Sequence, residues 1–264
     1  MNPLFKKSQT TPSWLANDII SNPMSFVKKQ RALITGASSG IGKATALAFA
    51  KVGIDVALVS RSFDKLTAVK SAAEQTGVKA KTYPLDLAQV EQVQAEISKI
   101  VADFGGIDIL VNNAGMGYTR ALRETPLADW LAVMNLNLTS AFQCALGVVP
   151  SMRERQSGTI INVASIAGQQ AFTDWGAYCV SKAGLIALSK TLAAEERPHG
   201  IRVTALCPGA VNTELWDAPT VHLNFDRTAM LTPENVAQAI LYIALLPKQA
   251  VIEELTLMPS AGAL

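Results

Sequence analysis

The chain has 264 residues, 49% of them hydrophobic and only 17% charged, a balance that suits one sizeable α/β domain with strands covered on both faces or a buried subunit interface. Its 23 Lys+Arg and 21 Asp+Glu leave a net charge of +2 with no basic tract, which argues against nucleic acid as a partner. No uninterrupted apolar run approaches the ~18 residues a membrane span needs. Two histidines and three scattered cysteines, Cys144, Cys179 and Cys207, give no metal-ligand spacing.

The cysteines sit in apolar segments, as small core residues of a reducing compartment do, and point to the cytoplasm. Residues 1–30 are polar, broken by prolines and without an apolar stretch of secretory type, so they read as an N-terminal extension, with Met24 an alternative start. From Arg31 onward β-branched runs alternate with helical patterns. "RALIT" precedes "IGKATALAFAKVG", "DVALVS" precedes "SFDKLTAVKSAAEQTG", and "AKTYPL" precedes "LAQVEQVQAEISKIVADFG". "DILVNN" leads to a long segment from about Pro126 to Met152, "TIINVAS" to the helix that holds Tyr178, and "IRVTALCP" to an irregular stretch before "PENVAQAILYIALL" and "ELTLMP". Strands and helices in this alternation predict βαβ units. The expected fold is α/β, a Rossmann-like doubly wound parallel sheet of about seven strands with helices on both faces, forming a single domain over residues 31–264.

Ligands of such a sheet bind at the carboxyl ends of its strands, so those ends are read in turn. The first runs into "GASSGIG" and directly into a helix, and Gly36, Ser38, Ser39, Gly40, Ile41 and Gly42 form a candidate pyrophosphate cradle at a helix N-terminus. Its glycine spacing is not that of G-x-G-x-x-G, and a glycine-rich turn without a ligand is the plainer alternative. The second strand ends in "SRS", where an acid would repel a 2′-phosphate and Arg61 can fork onto one, which favours NADP(H). The third ends in "LDL"; Asp86, beside Leu87, either meets the adenine or N-caps the next helix. Asn113, Ala114 and Gly115 of "NNAG" follow the fourth, and Ser165 the fifth. Tyr178 and Lys182 lie four residues apart, on one helix face, where a lysine stem across an aromatic ring is the alternative to joint chemistry.

Together "TGASSGIG", "NNAG", Ser165 thirteen residues before Tyr178, "YCVSK" and "PGAVNT" resemble, in order and spacing, the short-chain dehydrogenase/reductase family from Arg31 to about Pro259. The resemblance implies an NADP(H)-dependent enzyme that interconverts a small-molecule carbonyl and its alcohol. It assigns Tyr178 as general acid/base, Lys182 to the nicotinamide ribose and the tyrosine pKa, Ser165 to the substrate oxygen and Asn137 to a water in the proton relay. Pro208, Gly209, Val211 and Thr213 of "PGAVNT" then meet the nicotinamide. A tyrosine titrates near ~10, and an ammonium at ~4 Å contributes about 4 kcal/mol at an effective dielectric of ~20, so the phenol is expected near neutrality. The ending "ELTLMPSAGAL" looks closer to the 3-hydroxy acid dehydrogenases of the family than to its 3-oxoacyl-acyl-carrier-protein reductases. A non-catalytic NADP-binding sensor is the alternative from another class; the complete set of Asn137, Ser165, Tyr178 and Lys182 speaks against it. The segment Glu214 to Leu231, with Trp216, Pro219, His222 and Phe225, is either a substrate wall or a surface loop, and Met116 and Tyr118 are expected beside the substrate. A homo-dimer or homo-tetramer is expected through the apolar stretches Ala141 to Val149 and Ala183 to Leu192.

Overall fold

Each β-branched run of the sequence becomes a strand: β1 (Arg31–Thr35), β2 (Asp55–Ser60), β3 (Ala80–Pro84), β4 (Ile109–Asn112), β5 (Gly158–Val163), β6 (Ile201–Pro208) and β7 (Glu254–Leu257). The computed structural model describes residues 29–222 and 226–262; most of the expected extension, with Met24, and Phe225 lie outside them. The strands form one sheet in the order β3-β2-β1-β4-β5-β6-β7, every pairing parallel. The chain moves outward one way through β2 and β3, then crosses to β4 on the other side of β1. The switch between β1 and β4 opens a crevice at the carboxyl ends.

The helices are α1 (Gly40–Lys51), α2 (Phe63–Glu74), α3 (Val90–Phe104), α4 (Leu127–Met134), α5 (Ser140–Glu154), α6 (Gly176–Glu196) and α7 (Pro233–Ala244). Successive strand residues point to opposite faces, so each strand serves two cores. Ala32 and Ile34 pack with Phe49 of α1, Leu66 of α2 and Ile240 of α7, whereas Leu33 packs with Ile97 of α3, Val148 of α5 and Leu192 of α6. Phe49 has no exposed surface; truncating such a side chain to alanine costs roughly 3–5 kcal/mol.

A single turn of π-helix, Asn135–Thr139, joins α4 to α5. The resulting helix, Leu127–Glu154, is long and apolar enough on average to cross a membrane, though polar residues interrupt it throughout, and half of its most apolar window is buried inside the fold. Its apolar residues serve the core. The expected contact stretches are partly core and partly surface. Ala141, Cys144, Ala145, Val148 and Val149, like Leu185, Ile186 and Leu192, are buried within the chain, and the large exposed apolar side chains of this region are Leu122, Leu127, Leu131, Phe142 and Val180.

Candidate active site

β1 delivers the chain into a turn whose glycines are required by contact. Gly36 has φ 63° and Gly40 φ 49°, values that L side chains rarely adopt. A Cβ on Gly42 would lie 2.2 Å from the Gly36 carbonyl oxygen and 2.6 Å from Asn113 Nδ2. The first turn of α1 therefore lies against both the glycine turn and the "NNAG" loop. Ser39 precedes α1 in extended conformation without closing its hydroxyl on the helix, and the first turn carries no acid. Free N–H groups, a spare hydroxyl and a cradle with no room for side chains fit a dinucleotide pyrophosphate.

Thr35 holds the two strand ends together, a role the sequence reading missed. Its buried Oγ1 accepts from the backbone N–H groups of Asn113 at 2.9 Å and Ala114 at 3.0 Å, and donates to Val111 O at 3.3 Å. Asn113 answers by donating from Nδ2 to Thr35 O at 3.0 Å. A threonine in a β-branched strand carries no signal of this; only the register of β1 against β4 reveals it.

One cavity of about 600 Å³ runs along the carboxyl ends. Gly36, Ser38, Ser39, Gly40 and Ile41 line it, as do Arg61, Asp86, Leu87, Asn113, Ala114 and Gly115, and then Ser165, Tyr178, Lys182, Pro208, Gly209, Val211 and Thr213. Gly42 and Asn137 stand behind the wall. Arg61 is exposed where β2 ends, and Lys65 in the first turn of α2 lines the same end. Lys65 was detectable as a second base four residues after Arg61. Asp86 does not cap α3, whose N-cap is Gln89; Asp86 Oδ1 instead accepts from Ala88 N at 3.0 Å, a turn ahead of the helix.

Tyr178 and Lys182 project from the first turns of α6 into this cavity, the tyrosine half-buried and the lysine buried. Lys182 Nζ donates to Val163 O at 2.8 Å and sits 5.7 Å from the Tyr178 ring centroid. Burial pushes the Tyr178 phenol up to about 12, against the opposing pull of its hydrogen bond with Ser165. Burial also brings Lys182 down to about 8. This corrects the expectation of a phenol near neutrality. The ammonium is directed at a backbone carbonyl and is itself disfavoured by desolvation, so its attraction for the phenolate is outweighed by the burial of the phenol. Ser165 is buried and its Oγ also accepts from Ala167 N at 3.1 Å, which fixes the hydroxyl in place.

Asn137 lies in the π turn, buried, with its side chain fully engaged. Nδ2 donates to Met116 O at 3.0 Å and to Ser181 Oγ at 3.1 Å, and Oδ1 accepts from Met116 N at 2.8 Å. Its side chain clamps the loop after β4 to α6. A Cβ on Gly115 would lie 3.2 Å from Asn137 Oδ1 and 3.6 Å from Lys182 Nζ, so this loop passes directly over both.

The family model for short chain dehydrogenases matches residues 30–221. The chain belongs to that family. It is 37% identical over 218 residues to a 3-oxoacyl-acyl-carrier-protein reductase of Thermotoga maritima, covering 80% of this chain and 89% of that one. Among solved structures, a metagenomic short-chain oxidoreductase in complex with NADP superposes with TM-score 0.77 at 31% identity over 88% of this chain and 97% of its own. An alcohol dehydrogenase from Thermococcus sibiricus complexed with 5-hydroxy-NADP gives TM-score 0.80 at 30% identity, over 88% and 97%.

In this short-chain dehydrogenase the segment after β6 forms part of the cavity wall. Leu215, Trp216 and Ala218 line it, together with Met116, Phe172 and Trp175. The segment is also tacked down: Trp216 Nε1 donates to Val211 O at 2.9 Å and Thr220 Oγ1 to Gly117 O at 2.7 Å. The segment therefore lines the cavity and is held to the fold at the same time. Tyr118, expected at the substrate, is instead buried and donates to Asp129 Oδ2 at 2.8 Å. The three cysteines are buried free thiols, and burial raises Cys144 to about 12 and Cys207 to about 11, far from the range of a working thiolate.

Proposed function

We propose that this protein is an NADP(H)-dependent oxidoreductase that interconverts a carbonyl and a secondary alcohol, with Tyr178 as general acid/base. The observation that carries the proposal is the single cavity joining the glycine turn and Arg61 to Ser165, Tyr178 and Lys182. NADP in one structural neighbour and 5-hydroxy-NADP in another support the cofactor. The glycine turn and α1 would hold the pyrophosphate, Arg61 and Lys65 the 2′-phosphate, Asp86 and Leu87 the adenine, and Lys182 with the Pro208 to Thr213 stretch the nicotinamide end. NADPH, when bound, supplies the hydride that reduces the carbonyl carbon.

The rest is work for the chain's own groups. Tyr178 keeps its proton through neutral pH because burial raises its pKa, and so it can donate to the carbonyl oxygen as charge builds there. Ser165 donates to the same oxygen. Lys182, in its ammonium form, offsets the phenolate left behind. Asn137 keeps the Gly115 loop seated through its hydrogen bonds to Met116. Oxidation of an alcohol needs the phenolate first, which burial disfavours.

NADPH oxidation across a panel of ketones tests this; NADPH binding without turnover of any of them would favour a sensor instead. The name of the Thermotoga relative, and of a Synechocystis relative 36% identical over 247 residues, favours reduction of a 3-oxoacyl thioester as a second reading. We further assign residues 31–264 as the catalytic domain, the preceding residues as an extension, the cytoplasm as its compartment and a homo-dimer or homo-tetramer as its state. Exposed Leu127, Leu131 and Val180 support the oligomer, and three free thiols the compartment.

A further inference from the structure

A chain of buried polar groups joins the two elements that carry the reacting side chains. Asn162 in β5, with no exposed surface, donates from Nδ2 to Ser189 Oγ in α6 at 2.8 Å, and Ser189 Oγ donates in turn to Leu185 O at 2.7 Å. On its other side Asn162 Oδ1 accepts from Asn112 Nδ2 at 2.9 Å, across the register of β4 and β5. Asn112 Nδ2 also donates to Ala141 O of α5 at 3.2 Å. These bonds link α5, β4, β5 and α6, and Asn112, Asn162 and Ser189 stand outside the cavity lining.

The residues next to these bonds are those of the site. Asn112 leads into Asn113, Ala114 and Gly115, and Asn162 stands three residues before Ser165. On α6, Tyr178, Lys182, Leu185 and Ser189 follow one another at spacings of four, three and four, which puts them in one stripe along the helix. That stripe meets β5 at two polar points, Lys182 Nζ on Val163 O at 2.8 Å and Ser189 Oγ on Asn162 Nδ2. Hydrophobic burial is non-directional, whereas a hydrogen bond fixes distance and angle together.

We infer that Asn162 and Ser189 are positioning residues whose bond holds α6 at the height and rotation that bring Tyr178 and Ser165 to one substrate oxygen. The inference rests on the reading of Tyr178 and Ser165 as the groups that meet a carbonyl. Lys182 does not serve alone as the tie, because the same reading assigns its ammonium to the nicotinamide end. The uncharged pair lies in the core and keeps its bond whatever the cavity holds.

The test uses Ser189→Ala, which removes the acceptor, and Ser189→Thr, which keeps it. Thr204→Val is the control, since it removes another buried hydrogen bond, from Thr204 Oγ1 in β6 to Ile252 O at 2.6 Å. For each variant kcat and KM of NADPH-dependent ketone reduction and the Kd of NADPH are measured, alone and in a Ser165→Ala background. Hydrogen exchange of the Ser165–Gly168 turn and of Gly176–Lys182 in the NADP complex supplies a readout independent of turnover. Ser189→Ala should lower kcat about tenfold with KM and Kd nearly unchanged, since a small misplacement of reacting groups is costly in the transition state. Ser189→Thr should recover that loss, and Thr204→Val should keep the wild-type kcat. Without the Ser165 hydroxyl the same Ser189→Ala change should cost less than about threefold, because groups that act as a unit are not additive. Exchange of both segments should quicken about tenfold in Ser189→Ala and not in Thr204→Val. A folded Ser189→Ala that keeps its kcat, an equal loss in Thr204→Val, or an undiminished loss in the Ser165→Ala background overturns the inference and reduces the bond to packing. If the wild type turns over no ketone, the reading of Tyr178 fails separately; quickened exchange in Ser189→Ala then upholds the tie, and unchanged exchange overturns it.

Discussion

At Tyr178 burial and hydrogen bonding pull the phenol in opposite directions, and burial prevails, leaving it protonated through neutral pH. Lys182 meets the same penalty with the opposite sign, because burial disfavours its charged form. A lysine whose folded pKa is about 8 against an ordinary 10.5 binds fewer protons folded than unfolded between those values, so stability rises with pH across that window. Lys182→Met removes this dependence. The difference in Tm between variant and wild type should therefore fall as pH climbs from about 8 to 10.5, and a difference independent of pH would show that the lysine is not desolvated. Arg61→Ala should weaken NADPH binding at least tenfold, about 1.4 kcal/mol, and NADH binding little, as fluorescence titration would show. Equal losses would remove Arg61 from the 2′-phosphate. The position of Arg61 was legible because the fold puts the residue after β2 there; the titration of Tyr178 was not, because it depends on how deeply α6 is buried and on which acceptor Lys182 finds.

The elements that build the site differ in how plainly the sequence announces them. β-branched runs and glycine punctuation mark the strands and the α1 turn, since each reflects a local steric rule. The π turn at Asn135–Thr139 has no sequence period to reveal it, and the Thr35 and Asn137 clamps depend on partners far along the chain. Tyr118 was misplaced for the same reason, because Asp129 of α4 claims it. The glycine turn yields a test of the element. Gly42→Ala puts a methyl 2.2 Å from the Gly36 oxygen, a backbone clash that overpacking data place at about 3 kcal/mol or more. Thermal unfolding should show a loss of several degrees together with weaker NADPH binding, whereas an unperturbed Tm would mean that α1 does not start against that turn.

For the whole molecule, seven parallel strands with helices on both faces follow from the alternation of apolar runs, and the switch between β1 and β4 fixes where a ligand lies. The substrate end was less legible. Met116, Phe172, Trp175 and Trp216 come from separate segments that share no spacing, and only the closed fold brings them to one wall. Subunit contacts were not legible, because an apolar helix serves the core and an interface equally well in sequence. If the exposed residues carry the interface, Leu127→Asp with Leu131→Asp should yield a folded monomer in sedimentation velocity where the wild type is a dimer or larger. A wild-type monomer, or a double variant that still associates, would put the contact elsewhere or remove it.

The proton transfer from Tyr178 is tested most directly by the pH–rate profile of NADPH-dependent ketone reduction in wild type and Tyr178→Phe, with NADPH affinity measured on both. The wild-type rate should hold steady below about pH 8 and decline above it as Lys182 loses its proton. Tyr178→Phe should bind NADPH nearly as well while its rate falls by about 10²-fold or more at every pH. A Phe variant that keeps its rate, or a wild-type reduction rate that climbs with pH through neutrality, would contradict the account.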